Sequence, residues 1–286
     1  MARPSISPAL VTFVAVLSAA TVAFALPITQ MVDITGGQPG ILDGGNVIAL
    51  RLDQASASGF QSKDQFLFAR IDMQMKLPAG DSAGTVTTFY LSSLGDAHDE
   101  VDIEFLGNVS GQPLVLHTNI YTQGKGSREM QFYLWFDPTA AYHTYTILWN
   151  SQFIIIYVDG QPIRAFPNMS GIGIPFPTSQ QMRVYASIWN ADQWATQGGR
   201  VKTDWSHAPF MAYYSNFSTK PCPATSTDPQ CTIPSPPPAP GSNVPQLDAW
   251  TRNTMQGIQS QYMIYNYCAD TQRFPQGLPQ ECSVKF

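Results

Sequence analysis

Short runs of β-branched and aromatic residues recur between clusters of Gly, Pro, Asn and Asp over residues 26–217, and none of them carries a helical repeat. Residues 85–91, 101–106, 130–136, 144–149 and 183–189 are such runs. Segments of this length and make-up are strands. Residues 153–158 lead into Asp159-Gly160 and then into residues 161–166. Asp-Gly between two apolar runs predicts a hairpin with a tight two-residue turn. Pro162 cannot donate to a ladder, so it belongs at a strand start or on an edge. Many short strands without intervening helices predict an all-β sandwich over 26–217, not a parallel α/β sheet.

The two ends differ from this middle. After Arg3, residues 9–24 are almost unbroken apolar sequence, and Ala23-Phe24-Ala25 has the small-x-small form of a cleavage site. That predicts a signal peptide over residues 1–25. The apolar run, at about 16 residues, falls short of the roughly 20 needed to span a bilayer, so the expectation is a secreted chain with no membrane attachment after cleavage. All four cysteines lie late, at Cys222, Cys231, Cys268 and Cys282. An even count behind a signal peptide predicts two disulfides, with three connectivities open. No C-x-x-C or His-x-x-x-His spacing suggests a metal, and no cofactor is expected. Sequons occur at Asn108, Asn168 and Asn216, and secretion would make them surface sites.

Residues 218–249 read as a connector, because they contain the proline-rich run 233–241. Leu247, Trp250, Ile258 and Tyr262 then fit a weak helical stripe, and residues 262–267 alternate like a strand. The tail, 250–286, is too short to hold its own core. It is expected to pack back on the sandwich. Charged residues make up only 12% of the chain and aromatics another 12%, against a charged norm of about 25%. With a net charge of −5, this favours neutral polar ligands such as sugars over nucleic acid or an anionic membrane.

The segment with the most chemistry is His98-Asp99-Glu100-Val101-Asp102-Ile103-Glu104-Phe105-Leu106-Gly107. It alternates with period two, so Glu100, Asp102 and Glu104 share one face of a strand and Val101, Ile103 and Phe105 the other. Three carboxyl groups in a row repel one another. A solvated acidic face would explain them only if the strand were exposed, and its other face is wholly apolar. Retaining glycoside cleavage uses two carboxyls about 5–5.5 Å apart, whereas four strand residues span roughly 13 Å. The side chains must therefore lean together, or the sheet must curve and form a cleft. Asp102, between the two, is placed to hydrogen-bond Glu100.

This segment resembles the motif H-D-E-I-D-F-E-F-L-G of the xyloglucan endotransglucosylase/hydrolases, a plant branch of the retaining glycoside hydrolases of family 16. Val101 and Ile103 differ from it only on the apolar face. The likeness continues through residues 116–119, 123–129, 187–196, 202–205 and 265–268, and so over nearly all of the mature chain. It implies a curved β-jelly-roll sandwich with a long open cleft. By the same likeness Glu100 is the nucleophile, Glu104 the acid/base and Asp102 its helper. The cleft would be lined by His117, Thr118, Asn119, Ser127, Arg128 and Glu129, with Ser127 where the family commonly has Asn. Gln193 and Gly199 would join it from the 190–200 segment. Trp189 and Trp194 would stack on sugar rings, whose C–H faces match flat apolar rings. Tyr265 and Arg273 would extend the acceptor side. The likeness further implies a glycan on Asn108, disulfides Cys222–Cys231 and Cys268–Cys282, a monomer in the cell wall or apoplast, and xyloglucan as both donor and acceptor.

The compactness of 190–200 resembles the members that transfer more than those that hydrolyse. The alternatives within reach of the sequence are a net xyloglucan hydrolase, a carbohydrate-binding lectin on the same fold, and a structural wall protein with a decayed site. The intact acidic triplet counts against the last two.

Overall fold

The structure, a computed structural model, describes residues 26–238 and 243–286. The predicted leader lies outside the described residues. Two antiparallel sheets carry the molecule. In chain order the strands are β1 (Val32–Gly36), β2 (Gly40–Leu42), β3 (Val47–Leu52), β4 (Ser58–Ser62), β5 (Ala69–Lys76), β6 (Thr85–Ser92), β7 (Glu100–Leu106) and β8 (Val115–Tyr121). They continue as β9 (Met130–Tyr133), β10 (His143–Trp149), β11 (Phe153–Val158), β12 (Gln161–Pro167), β13 (Arg183–Asn190), β14 (Phe210–Pro221) and β15 (Met263–Asn266). Helix α1 is the short Ile28–Met31, and α2 is Ala249–Tyr262. One sheet has the order β1-β4-β13-β6-β7-β8-β9-β15; the other is β12-β11-β10-β5-β14-β3-β2.

Alternation fixes which face of each strand is buried. On β5, Ala69, Ile71, Met73 and Met75 are buried, and the residues between them are not. A one-residue slip would expose the whole apolar set, so register is tightly held. The inner faces of the two sheets share one core. Phe105 of β7 meets Tyr145 of β10 edge-on with centroids 4.8 Å apart, and Phe60 of β4 meets Tyr214 of β14 at 5.2 Å. The Tyr214 hydroxyl donates to the Thr88 carbonyl of the facing sheet at 2.8 Å, which answers the polar end of a fully buried ring.

The Asp159-Gly160 turn has positive φ at both residues, 48° and 74°, the geometry of a primed hairpin turn. Pro162 lies at the start of β12, an edge strand of its sheet. Run 130–136 is a strand only to Tyr133; Leu134, Trp135 and Phe136 turn to pack on the core. The connector is less free than its composition suggests. Strand β14 continues to Pro221, and Cys222, Cys231, Ile233, Val244 and Leu247 are all buried in the main core. Disulfides join Cys222 to Cys231 and Cys268 to Cys282.

The tail packs back on the sandwich in two ways. Asp248 caps α2 by accepting from the Thr251 backbone N–H at 3.0 Å, which satisfies an orphan donor of the first turn. The helix lies on β12, with Gln259 donating to the Ile163 carbonyl. Strand β15 then pairs with β9 and extends the first sheet by one strand.

Candidate active site

Strand β7 sits inside the eight-stranded sheet, between β6 and β8. Val101 and Ile103 are fully buried and Phe105 is 1% exposed, so the apolar half of the motif anchors the strand. The opposite face carries Glu100, Asp102 and Glu104. The pairing sets their neighbours: Ser92 and Tyr121 flank Glu100, Tyr90 and Asn119 flank Asp102, and Thr88 and His117 flank Glu104. Strand β13 adds Tyr185, Ser187 and Trp189 beyond β6. The strand ends where Gly107 approaches another backbone: a Cβ there would stand 1.8 Å from the Ser82 carbonyl oxygen, which only glycine permits.

These rows enclose a cleft of about 520 Å³. Its lining includes all three carboxylates, His117, Asn119 and Glu129, with Thr88, Tyr90, Tyr121, Ser187, Trp189 and Trp194. A cavity of similar size, about 550 Å³, lies between the Ser151–Gln152 turn and the proline-rich segment. Among the described residues, none that lines it is an acid or base, so the first is the candidate site.

The cleft separates its acids by environment. Burial, then the charges of Glu100 and Glu129, push Glu104 up to about 7. Asp102 is driven well above the carboxylate range by burial, by both neighbouring glutamates and by its hydrogen bond with Glu100. The shift favours the protonated form of Asp102, which is the form that donates to Glu100. Burial lowers His117 to about 4, so it stays neutral. Its Nδ1 accepts from the Gln131 amide at 3.0 Å, which leaves the proton on Nε2, 3.8 Å from Glu104.

The far wall is a folded loop. Val86, Leu106, Ala191 and Ala195 form a small second core, with Trp189 packed on it. The Thr196 hydroxyl donates to the Gly107 carbonyl and accepts from the Gly84 N–H, both at 2.7 Å. Gly199 has φ of +84°, and a Cβ there would meet the Gln193 carbonyl oxygen at 2.0 Å. Gly199 therefore closes the loop; no side chain could replace it. The loop presents Trp194, 40% exposed, with its ring 6.1 Å from that of Trp189. Exposed indole faces over a polar floor suit sugar stacking.

The opposite wall is tied to the tail. Arg273 grips Glu129 with two hydrogen bonds, at 2.6 and 2.9 Å, and donates to the Tyr265 hydroxyl at 3.2 Å. Burial would raise Glu129, but this grip outweighs it and holds the carboxylate below its ordinary range. Ser127 and Gln193 are exposed, outside the cleft lining.

Two expected lining residues point elsewhere. Thr118 is fully buried on the core face of β8, bonded to the Met130 carbonyl and to Arg164. Period two puts it opposite to its neighbours His117 and Asn119. The Arg128 side chain is also turned away. It pairs with Glu281 of the tail at 2.6 Å and donates to the Ile120 and Lys125 carbonyls. Only its backbone N–H reaches the floor, donating to Asn119 Oδ1 at 3.0 Å. The residues that sequence reasoning missed were Thr88, Tyr90, Tyr121, Gln131 and Ser187. Strand alternation applied to the flanking runs would have found Thr88, Tyr90 and Ser187. Glu281 had no local signal.

Comparison with known proteins gives a consistent picture. Residues 29–207 match the family model "Glycosyl hydrolases family 16", and residues 236–282 match "Xyloglucan endo-transglycosylase (XET) C-terminus". The chain is 55% identical over 258 residues to xyloglucan endotransglucosylase protein 1 of Diospyros kaki, covering 88% of this chain and 86% of that one. It is 53% identical over 286 residues to xyloglucan endotransglucosylase/hydrolase protein 15 of Arabidopsis thaliana, covering 96% and 97%. Among solved structures it is similar to the apo Crh5 transglycosylase, with 26% identity and a TM-score of 0.55 over 68% of this chain and 79% of that one. A Bacillus licheniformis β-glucanase, at 22% identity and a TM-score of 0.51 over 67% and 92%, shares the jelly-roll fold.

Proposed function

This chain belongs to the glycosyl hydrolases of family 16, in the branch of the xyloglucan endotransglucosylase/hydrolases, and on that footing we propose that it cuts the β-1,4-glucan backbone of xyloglucan and rejoins the cut end to another xyloglucan chain. The observation that carries the reading is the row Glu100, Asp102, Glu104 in one cleft, with Glu104 raised to about 7.

The reaction runs in two halves with retention. Glu100 attacks the anomeric carbon of the donor unit as Glu104 gives its proton to the departing glycosidic oxygen. The C–O bond breaks, an ester to Glu100 forms, and the leaving chain departs with a free hydroxyl. Esterification removes the Glu100 charge, one of the causes that hold the Glu104 proton. The acidity of Glu104 rises at that moment, and it becomes the base for the second half. It takes the proton of an acceptor hydroxyl, whose oxygen attacks the same carbon and releases Glu100 as carboxylate. Protonated Asp102 holds Glu100 in orientation throughout. Neutral His117, with Nε2–H toward Glu104, steadies that residue whenever it is charged.

Transfer requires the acceptor to outcompete water. An oriented group reaches effective molarities of about 10⁵ M, far above the roughly 55 M of water. Trp194 on the short loop closed by Gly199, with Tyr265 and Arg273 on the tail side, are the residues assigned to hold it. Secretion to the cell wall, a glycan on Asn108 and action as a monomer complete the proposal. The Asn108 amide donates to the Pro113 carbonyl at 2.9 Å, and a glycosylated amide keeps one N–H for that bond. The test is incubation with xyloglucan and a labelled xyloglucan oligosaccharide, following polymer size and reducing ends together. Label entering polymer with few new reducing ends supports transfer; reducing ends that rise steadily under saturating acceptor would show a hydrolase.

A further inference from the structure

Arg164 is a full positive charge in the interior of the sandwich, only 1% exposed. It projects from edge strand β12 and crosses to the cleft sheet, donating through Nη1 to the Thr118 carbonyl at 2.9 Å and the Thr118 hydroxyl at 2.8 Å. Nη2 donates to the Arg128 carbonyl. Its Nε has no hydrogen-bond partner, and no carboxylate touches the guanidinium, among the described residues. A buried cation without a contact anion is costly, and a packing role would be served by an apolar side chain. Its position suggests what balances it. Thr118 pairs with Ile103, one residue from both Asp102 and Glu104. Arg164 thus stands behind the carboxylate row, separated from it by the thickness of one sheet.

We infer that Arg164 is a positioning residue for the cleft chemistry: a fixed charge behind the carboxylate row that lowers the pH at which the Glu100–Asp102 pair becomes charged for attack. The same side chain fixes the floor. The Arg128 peptide is held from the core side by Arg164 and from the cleft side by Asn119, and Glu129 follows it in sequence. On the cleft side, the pair is faced by Glu104 on its own strand, Tyr90 on β6, and His117 and Tyr121 on β8. His98 approaches Glu100 to 3.9 Å from the preceding turn, and Glu129 closes the far side. Glu104 and Glu129 are acids, His117 is held neutral by burial, and Tyr90 and Tyr121 are raised by it; Arg273 is already engaged by Glu129. Behind the sheet, Arg128 is paired with Glu281 and Tyr267 is neutral, its hydroxyl pushed up to about 12 by burial. Arg164 is a buried cation placed to favour the ionised pair, and its field lowers Asp102 against burial.

The inference rests on the glycosyl-transfer reading, and the wild-type enzyme is measured in parallel, so failure of that reading appears as an inactive parent. The experiment is the pH profile of kcat/KM on xyloglucan for Arg164→Gln and Arg164→Lys. Arg164→Gln removes the charge while keeping amide donors. Its acid limb should move up by about one pH unit, with the basic limb, set by Glu104, unmoved. Arg164→Lys keeps the charge but loses the fork; its kcat should fall with the acid limb in place. Arg164→Met, an apolar chain of similar length, carries the same expectation as Arg164→Gln should the latter fail to fold. An acid limb that stays at its wild-type position in a folded neutral variant overturns the inference, as does a Lys variant that shifts as far as Gln.

Discussion

Glu104 costs the fold stability as pH rises. Glu104 holds its proton to about 7 in the folded protein, against an ordinary value of 4.5. A raised carboxylate binds protons more tightly when folded, so its stabilising contribution is complete below 4.5 and lost as pH rises toward 7. Glu104→Gln should therefore leave stability nearly unchanged at pH 4.5 and raise it at pH 7.5 by about 1–3 kcal/mol; equal unfolding midpoints at pH 7.5 would contradict this. Glu129 helps raise Glu104. Glu129→Gln removes that charge and frees Arg273, and both changes favour ionised Glu104. The basic limb of the pH–rate profile should move to lower pH; a limb that moves up or stays fixed would count against the assignment. At this scale the acids were legible because period-two alternation isolates them on one strand. The orientations of Thr118 and Arg128 differ from what the motif likeness implies. For Thr118 the strand alternation itself points inward. For Arg128 the deciding partner, Glu281, lies 153 residues away.

Strands and turns were the most legible elements, since their patterns are local. Run 153–166 shows why: two apolar runs and an Asp-Gly turn define the hairpin, although the register shifts between Ile156 and Tyr157. Run 130–136 was overextended because Leu134, Trp135 and Phe136 are as apolar as a strand requires, yet their burial is against the tail and core rather than through a ladder. The tail depends on such distant contacts. Its Cys268–Cys282 disulfide lies beside Glu281, which holds Arg128, and near Arg273, which holds Glu129. Replacing both cysteines with alanine should lower stability by roughly 2–5 kcal/mol and weaken use of the acceptor more than use of the donor. Denaturant unfolding, with initial rates at varied acceptor, checks both. Unchanged unfolding, or equal losses for donor and acceptor, would contradict the proposed role of this element.

For the whole molecule, the sandwich supplies a rigid inner core, and its eight-stranded sheet turns one polar face outward as the floor of the cleft. The tail lengthens that sheet by β15 and sets Tyr265 and Arg273 along one wall. Each rim of the cleft is thus bound to a separate part of the chain, the 190–200 loop on one side and the stapled tail on the other. The central claim is that Glu100 carries the glycosyl group between donor and acceptor. Its most direct test is rapid acid quench of the enzyme turning over a xyloglucan oligosaccharide, followed by peptide mapping by mass spectrometry. The account predicts a glycosyl mass on the peptide containing Glu100, assigned to that residue by fragmentation and absent from an inactive Glu100→Ala protein. A glycosyl mass on Glu104, or substantial turnover by Glu100→Ala, would contradict it.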